Sequence, residues 1–128
     1  MALEPVYYDK QYGFTTNDGI IADPGDGNAI SNNQTGTVPL VTAGAETRTL
    51  AAPTRAGIEL LLYFQTDGGD CVITVAGGVN YVGHNTLTLS VATTSVKLSS
   101  MYNGTSYRWQ IVWNDLQGAV DNTGLTTV

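Results

Sequence analysis

Short runs in which every second residue is apolar constrain the fold of this chain more than any other feature of its sequence. In the clearest run, Ile58, Leu60, Leu62 and Phe64 alternate with their neighbours over eight positions. A period of two is the period of a β-strand, because successive side chains point to opposite faces. Similar runs separated by Gly, Asn and Asp turns recur at residues 38–40, 47–50, 71–76, 86–91, 95–100 and 107–113. The pattern predicts an all-β fold, a single β-sandwich or jelly-roll-like domain.

The predicted strand 58–66 carries apolar side chains on both faces. Leu61 and Tyr63 fall on its outward face, and the turn Asp67-Gly68-Gly69-Asp70 predicts a hairpin that places Val72 of the next strand beside them. A strand with one face in water normally keeps that face polar. The face is then covered either by the chain's own N-terminal arm or second sheet, or by a subunit interface formed by Leu61, Tyr63 and Val72.

The first 36 residues differ in character from the rest. They hold five acidic residues and one lysine, they are rich in Asn, Asp and Gly turns, and they show no sustained apolar period. We therefore divide the chain into an acidic, turn-rich N-terminal arm (1–36) and a β-sandwich domain (37–128).

Four of the eleven aromatic residues lie within the first 14 positions: Tyr7, Tyr8, Tyr12 and Phe14. Tyrosine buries a large amphipathic area at a low cost in conformational entropy, so such a segment is suited to anchoring on a partner. The alternative is an N-terminal strand that folds back on its own sandwich.

The composition argues against several classes of protein. A net charge of −6 leaves no basic surface for nucleic acid, and no apolar run is long enough to span a membrane. The one cysteine, Cys71, alternates with apolar residues and is expected to be a buried hydrophobe, while the one histidine, His84, lies in a Gly-His-Asn turn and is expected to be exposed. We find no cofactor motif and no convergent acid–base pair, so we expect no enzyme, no cofactor and no catalytic residue.

Two groups of acidic residues could carry chemistry. Asp18, Asp23 and Asp26 could supply oxygen ligands to Ca²⁺, but their spacing is not that of an EF-hand and a plain surface turn favours the same residues. Asp67 and Asp70 are a pair of carboxylates, but they flank one turn, where they would point into water, so we expect turn residues and not catalytic ones.

In the last long run Tyr107, Trp109, Ile111 and Trp113 share one face, which predicts core packing, although exposed tryptophans would form a platform for stacking sugars.

The sequence resembles a family of small virion proteins of tailed bacteriophages, in particular head decoration (cement) proteins. The resemblance rests on residues 44–57, Ile58–Phe64, the segment 67–75, Asn85–Leu89 and residues 107–112, and it leaves out the first 36 residues. It implies a β-sandwich that forms a homotrimer, sits on the capsid surface of the virion and binds the major capsid protein lattice, with no cofactor and no catalysis. The alternative within phage proteins is a head-fibre, knob or tail-associated β module that binds host glycans.

Overall fold

The computed structural model describes residues 19–80, 84–115 and 125–127, which form nine β-strands and no helix. The all-β class is therefore confirmed, and each of the seven runs identified by alternation contains a strand. The strands are β1 (Asn28–Ile30), β2 (Gly36–Val41), β3 (Glu46–Leu50), β4 (Glu59–Thr66), β5 (Cys71–Val75), β6 (Thr86–Leu89), β7 (Ser95–Tyr102), β8 (Tyr107–Asp115) and β9 (Leu125–Thr127).

The strands form two mixed sheets that share one hydrophobic core. One sheet has five strands in the order β1-β3-β5-β6-β9, and the other has four in the order β2-β4-β7-β8. Alternation directs every second side chain of each sheet toward the core. The buried cluster draws on both sheets and includes Val38, Leu40, Leu50, Leu60, Leu62, Phe64, Cys71, Ile73, Val75, Leu87, Leu89, Val96, Leu98 and Trp109.

The first five strands alternate between the two sheets. Because the chain crosses to the other sheet after each strand, β1 pairs with β3, β2 with β4, and β3 with β5, all in parallel. The hairpin predicted for residues 58–76 is therefore wrong: β4 pairs with β2 and β7, whereas β5 pairs with β3 and β6. The Asp67–Asp70 turn connects two sheets rather than two neighbouring strands.

The glycines of that turn are explained by close approach rather than by positive φ. A Cβ on Gly68 would lie 2.3 Å from the carbonyl oxygen of Thr42, and one on Gly69 would lie 2.4 Å from the carbonyl carbon of Gly44. The two crossing loops, 42–45 and 67–70, are thus stacked backbone to backbone. The Thr42 hydroxyl joins them, since it donates to the Gly69 carbonyl at 2.7 Å and accepts from the Gly68 N–H at 3.0 Å.

Residues 19–36 were assigned to the N-terminal arm, but the structure places them in the sheets and the core. Ile21 and Ile30 lie in the core, and β1 is paired with β3. These residues are part of the two-sheet domain, so the predicted boundary at residue 36 is wrong. The sequence does not show that these residues belong to the domain, because β1 has only three residues and the apolar residues around it are short pairs separated by turns. Tyr7, Tyr8, Tyr12, Phe14 and Asp18 lie outside the described residues.

A bulge in β8 separates its two tryptophans. Lys97 of β7 pairs with Trp113 and the next residue, Leu98, pairs with Ile111, so Val112 is the extra residue. An extra residue reverses the alternation beyond it. Trp109 is fully buried as predicted, whereas Trp113, beyond the bulge, faces outward and is 51% exposed. Tyr107 keeps the face of Trp109 but is 36% exposed, because β8 there extends past the end of the β4–β7 pairing. The prediction of core packing is therefore wrong for Trp113 and Tyr107.

Candidate binding face

The outward surface of the four-stranded sheet carries an aligned group of apolar side chains, which we call the outer β2–β8 face and define by Pro39, Leu61, Tyr63, Lys97 and Trp113. Register pairs point to the same side of a sheet. Leu61 is paired with Lys97, and Lys97 with Trp113, while Tyr63 of the same strand is paired with Pro39. The four strands therefore bring these side chains to one surface, although they are far apart in sequence.

This face combines apolar side chains with one exposed ion pair, and Lys97 lies between Leu61 and Trp113. Leu61 and Tyr63 are half-buried, and Trp113 is exposed. The charged neighbours Lys97 and Glu59 pair with each other at 3.0 Å, but their side chains are 40% and 46% exposed. An ion pair this exposed contributes little to stability and is readily rearranged. Exposed aromatic and aliphatic side chains next to an exchangeable charge pair are typical of surfaces that bind proteins.

The structure divides the predicted interface between two surfaces. Leu61 and Tyr63 lie together on the outer β2–β8 face. Val72 is half-buried on the outward side of β5 in the other sheet, in register with Thr47 and Thr88. It cannot share a contact surface with Leu61, because the assumed hairpin does not exist. Trp113 was missed as a member of this face, since only the bulge at Val112 turns it outward.

The Asp-rich loop is held by a buried arginine that sequence analysis also missed. The Arg48 side chain is fully buried, and its Nε and Nη2 donate to the two carboxylate oxygens of Asp23 at 2.7 and 2.9 Å. Its Nη1 donates to Glu46 Oε1 and the Thr47 carbonyl, and Nη2 also donates to the Val41 carbonyl. All five guanidinium N–H groups therefore have acceptors, the condition under which a buried arginine is tolerated. We call this group the Asp23–Arg48 clamp.

The electrostatics of the clamp follow from its hydrogen bonds. Burial alone would raise the pKa of Asp23, but the bonds from Arg48 and from the N–H groups of Val41 and Gly25 outweigh it and hold that pKa below its ordinary value. The hydrogen bond to Asp23 raises the pKa of Arg48. The guanidinium thus occupies the position at Asp23 that a cation would need, while Asp26 accepts the Thr47 N–H at 2.9 Å. Within the described residues no three His, Cys, Asp or Glu side chains are grouped to hold a metal ion.

The two remaining candidate reactive residues, Cys71 and His84, differ in burial. Cys71 is buried, and burial raises the pKa of its thiol to about 11, so it is a thiol rather than a nucleophilic thiolate at neutral pH. His84 is half-buried rather than exposed, and its carbonyl accepts the N–H of Val79 at 2.9 Å. Asp67 and Asp70 are exposed in the second crossing loop, as the turn composition predicted.

Comparison with known proteins places the chain in no family: neither a family model nor a curated protein sequence matches it. Among the described residues there is no helix with the length and apolar character needed to cross a membrane.

Proposed function

We propose that this chain is a non-enzymatic virion protein of a tailed bacteriophage, a decoration (cement) protein that binds the major capsid protein lattice and stabilises the head. The proposal draws on the sequence resemblance and on the all-β fold. It includes a β-sandwich arrangement of the two sheets, supported by the core that they share, and jelly-roll-like connections remain part of the proposal. Binding the assembled shell but not free subunits would stabilise the shell by mass action.

The observation that carries the proposal is the outer β2–β8 face. Leu61, Tyr63 and Trp113 come from two non-adjacent strands and lie on one surface, with Lys97 between Leu61 and Trp113, and they remain in contact with solvent. An apolar surface of this kind is stabilised when another protein covers it. In our proposal a neighbouring copy covers this face in a homotrimer, and the aromatic residues Tyr7, Tyr8, Tyr12 and Phe14 contact the shell.

The direct test is binding to shells. Purified protein is mixed with heads assembled from the major capsid protein of the same phage, and bound protein is separated by sedimentation. We expect saturable binding at a fixed ratio to shell subunits and a higher temperature of shell disruption. Saturable binding with no change in shell stability would contradict the cement role, and the absence of binding would contradict the whole proposal.

A substitution in the outer β2–β8 face tests the proposed oligomer. Leu61→Asp places a charge where a partner would desolvate it, at a cost of several kcal/mol. We expect light scattering to show a change from oligomer to monomer, with an unchanged β-sheet circular dichroism spectrum. Val72→Asp is the matched control, since Val72 is equally half-buried but lies on the outward side of the other sheet. A monomeric wild-type protein, or equal effects of both variants, would contradict the assignment of this face.

Exposed aromatic side chains favour a second candidate, a head-fibre or tail-associated module that binds host glycans. Trp113 is 51% exposed, and a tryptophan ring can stack on the apolar face of a sugar. If the chain is such a module, neutral oligosaccharides should change the fluorescence of Trp113 in a saturable manner. The substitution Trp113→Ala should abolish this change. Trp109→Phe provides a background without the buried indole signal.

A further inference from the structure

Strands β7 and β8 continue beyond the rest of their sheet as a two-stranded projection, residues 101–108, which we call the β7–β8 ribbon. The pairing of β4 with β7 ends at Glu59 and Ser99, and the Ile58 carbonyl accepts the N–H of Ser100. Further along, Met101 pairs with Arg108 and Tyr102 with Tyr107. Every residue from 101 to 107 is exposed, as expected of an element that projects into solvent.

One face of the ribbon is aromatic, and the other carries Met101 beside its register partner Arg108. Tyr102 and Tyr107 lie side by side on one face with ring centroids 5.1 Å apart, and they are 57% and 36% exposed. Met101 lies on the opposite face and is 42% exposed. A cross-strand tyrosine pair stabilises a hairpin on its own account, which explains why the two rings meet. It does not explain why methionine occupies the other face of a projecting ribbon.

Hydrogen bonds hold the end of the ribbon in one conformation. The Asn103 side-chain oxygen accepts the N–H groups of Thr105 and Ser106 at 2.9 and 2.8 Å, and the Asn103 N–H donates to the Ser106 carbonyl. Gly104 has a φ of 96°, which other residues rarely adopt. A loop ordered before binding loses little entropy on binding, and Tyr, Asn, Gly, Thr and Ser are the residues that binding loops favour.

Arg108 is the one charged residue of the ribbon itself. From Ser99 to Tyr107 no residue is charged, and the next residue is Arg108. In the part of the chain that the structure describes, the Arg108 guanidinium takes part in no ion pair. A partner that receives the ribbon would therefore gain from a carboxylate beside Arg108.

We infer that the β7–β8 ribbon inserts into a groove of a protein partner, with one apolar wall against Tyr102 and Tyr107 and an opposite wall that contacts Met101 and presents a carboxylate to Arg108. A flat surface would cover the tyrosine face or the methionine face but not both, whereas a groove covers the two together. The partner's identity rests on the proposed function, which makes it the shell subunit. The outer β2–β8 face then remains available for the neighbouring copy.

Binding of ribbon variants to the same heads tests the inference. Tyr102→Thr with Tyr107→Thr keeps side chains of high strand propensity but removes both rings. We expect the affinity for shells to fall about tenfold or more, as for the removal of central aromatic contacts. Met101→Thr and Arg108→Glu leave the tyrosine pair intact, so they test the other face and the charge even if the double variant is unfolded. Val91→Thr is the control, since Val91 is 38% exposed in the turn between β6 and β7.

The outcomes separate this inference from the proposed function. Losses in the ribbon variants with full binding by Val91→Thr support insertion of the ribbon. Full binding by Met101→Thr and Arg108→Glu overturns insertion and leaves the decoration function standing. A change from oligomer to monomer in the ribbon variants, without loss of shell binding, makes a second copy the occupant and overturns the shell assignment. Wild-type protein that does not bind shells overturns the proposed function and this assignment together.

Discussion

Two tryptophans of β8, four residues apart, show how strongly the role of a side chain depends on its surroundings. Trp109 is fully buried, and its indole N–H donates to the Ala51 carbonyl at 2.9 Å. Trp113 lies beyond the bulge and faces solvent. Alternation predicted one environment for both, because nothing in the local sequence marks Val112 as an extra residue.

Replacing each tryptophan by alanine should therefore have unequal effects on stability. Trp109→Ala removes core volume and leaves the Ala51 carbonyl without its donor, so we expect the free energy of unfolding to fall by about 3–5 kcal/mol. Trp113→Ala should change it by less than about 1 kcal/mol. Urea titration followed by circular dichroism measures both, and equal losses would contradict the bulge.

Asp23 should give the protein a specific sensitivity to acid. Its pKa is lowered in the folded state from the ordinary 3.8, so its contribution is fully present above that value and is lost as the pH falls through the lower folded pKa. Asp23→Asn removes a charge partner of buried Arg48, and we expect a loss of about 3 kcal/mol at neutral pH. Below about pH 4 the gap between wild type and variant should narrow. Thermal melts at pH 7 and pH 3 measure it, and a constant gap would show that Asp23 is not the titrating group.

At the scale of strands and loops, sequence analysis predicted the elements better than their pairing. Alternation located seven of the nine strands because each has one buried face. It could not show that β4 and β5 belong to different sheets, since Asp-Gly-Gly-Asp is as suitable for a crossing as for a hairpin. The Asp23–Arg48 clamp was also beyond prediction, because its charges are 25 residues apart and meet only after the crossings form.

The stacked crossing loops predict a difference between neighbouring glycines. Gly68→Ala would place a methyl group against the Thr42 carbonyl, so we expect a loss of about 2 kcal/mol or more in the free energy of unfolding. Gly44→Ala should be nearly neutral, since no atom lies within 4 Å of its added Cβ. Chemical denaturation of both variants provides the comparison. A neutral Gly68→Ala would mean that the loops are not in contact.

At the scale of the whole molecule, the described part of the predicted arm belongs to the core. Among the described residues the earliest buried side chain is Ile21, and the clamp begins at Asp23. The predicted arm of residues 1–36 therefore combines a segment that the structure places in the core with an earlier one that carries Tyr7, Tyr8, Tyr12 and Phe14.

Deleting residues 2–14 should separate folding from binding. We expect the truncated protein to keep its β-sheet spectrum and its melting temperature, because Ile21 and the clamp are retained, and to lose its affinity for shells. Deleting residues 2–30 is the contrasting variant: it removes Ile21, Asp23 and β1, and it should melt at a much lower temperature. If the protein without residues 2–14 still binds shells fully, the arm is not the anchor. If that protein is unfolded, the arm is an integral strand of the domain.

The alternation of the first five strands between two sheets also has a consequence for the order of folding. β1 cannot pair with β3, nor β2 with β4, until the intervening strand and two crossings have been synthesised. The antiparallel pairs β5–β6 and β7–β8 join consecutive strands and close shorter loops, which is entropically cheaper. These later pairs are expected to form first and to provide the edges on which β3, β4 and then the earliest strands assemble. The chain would then fold against the direction in which the ribosome makes it.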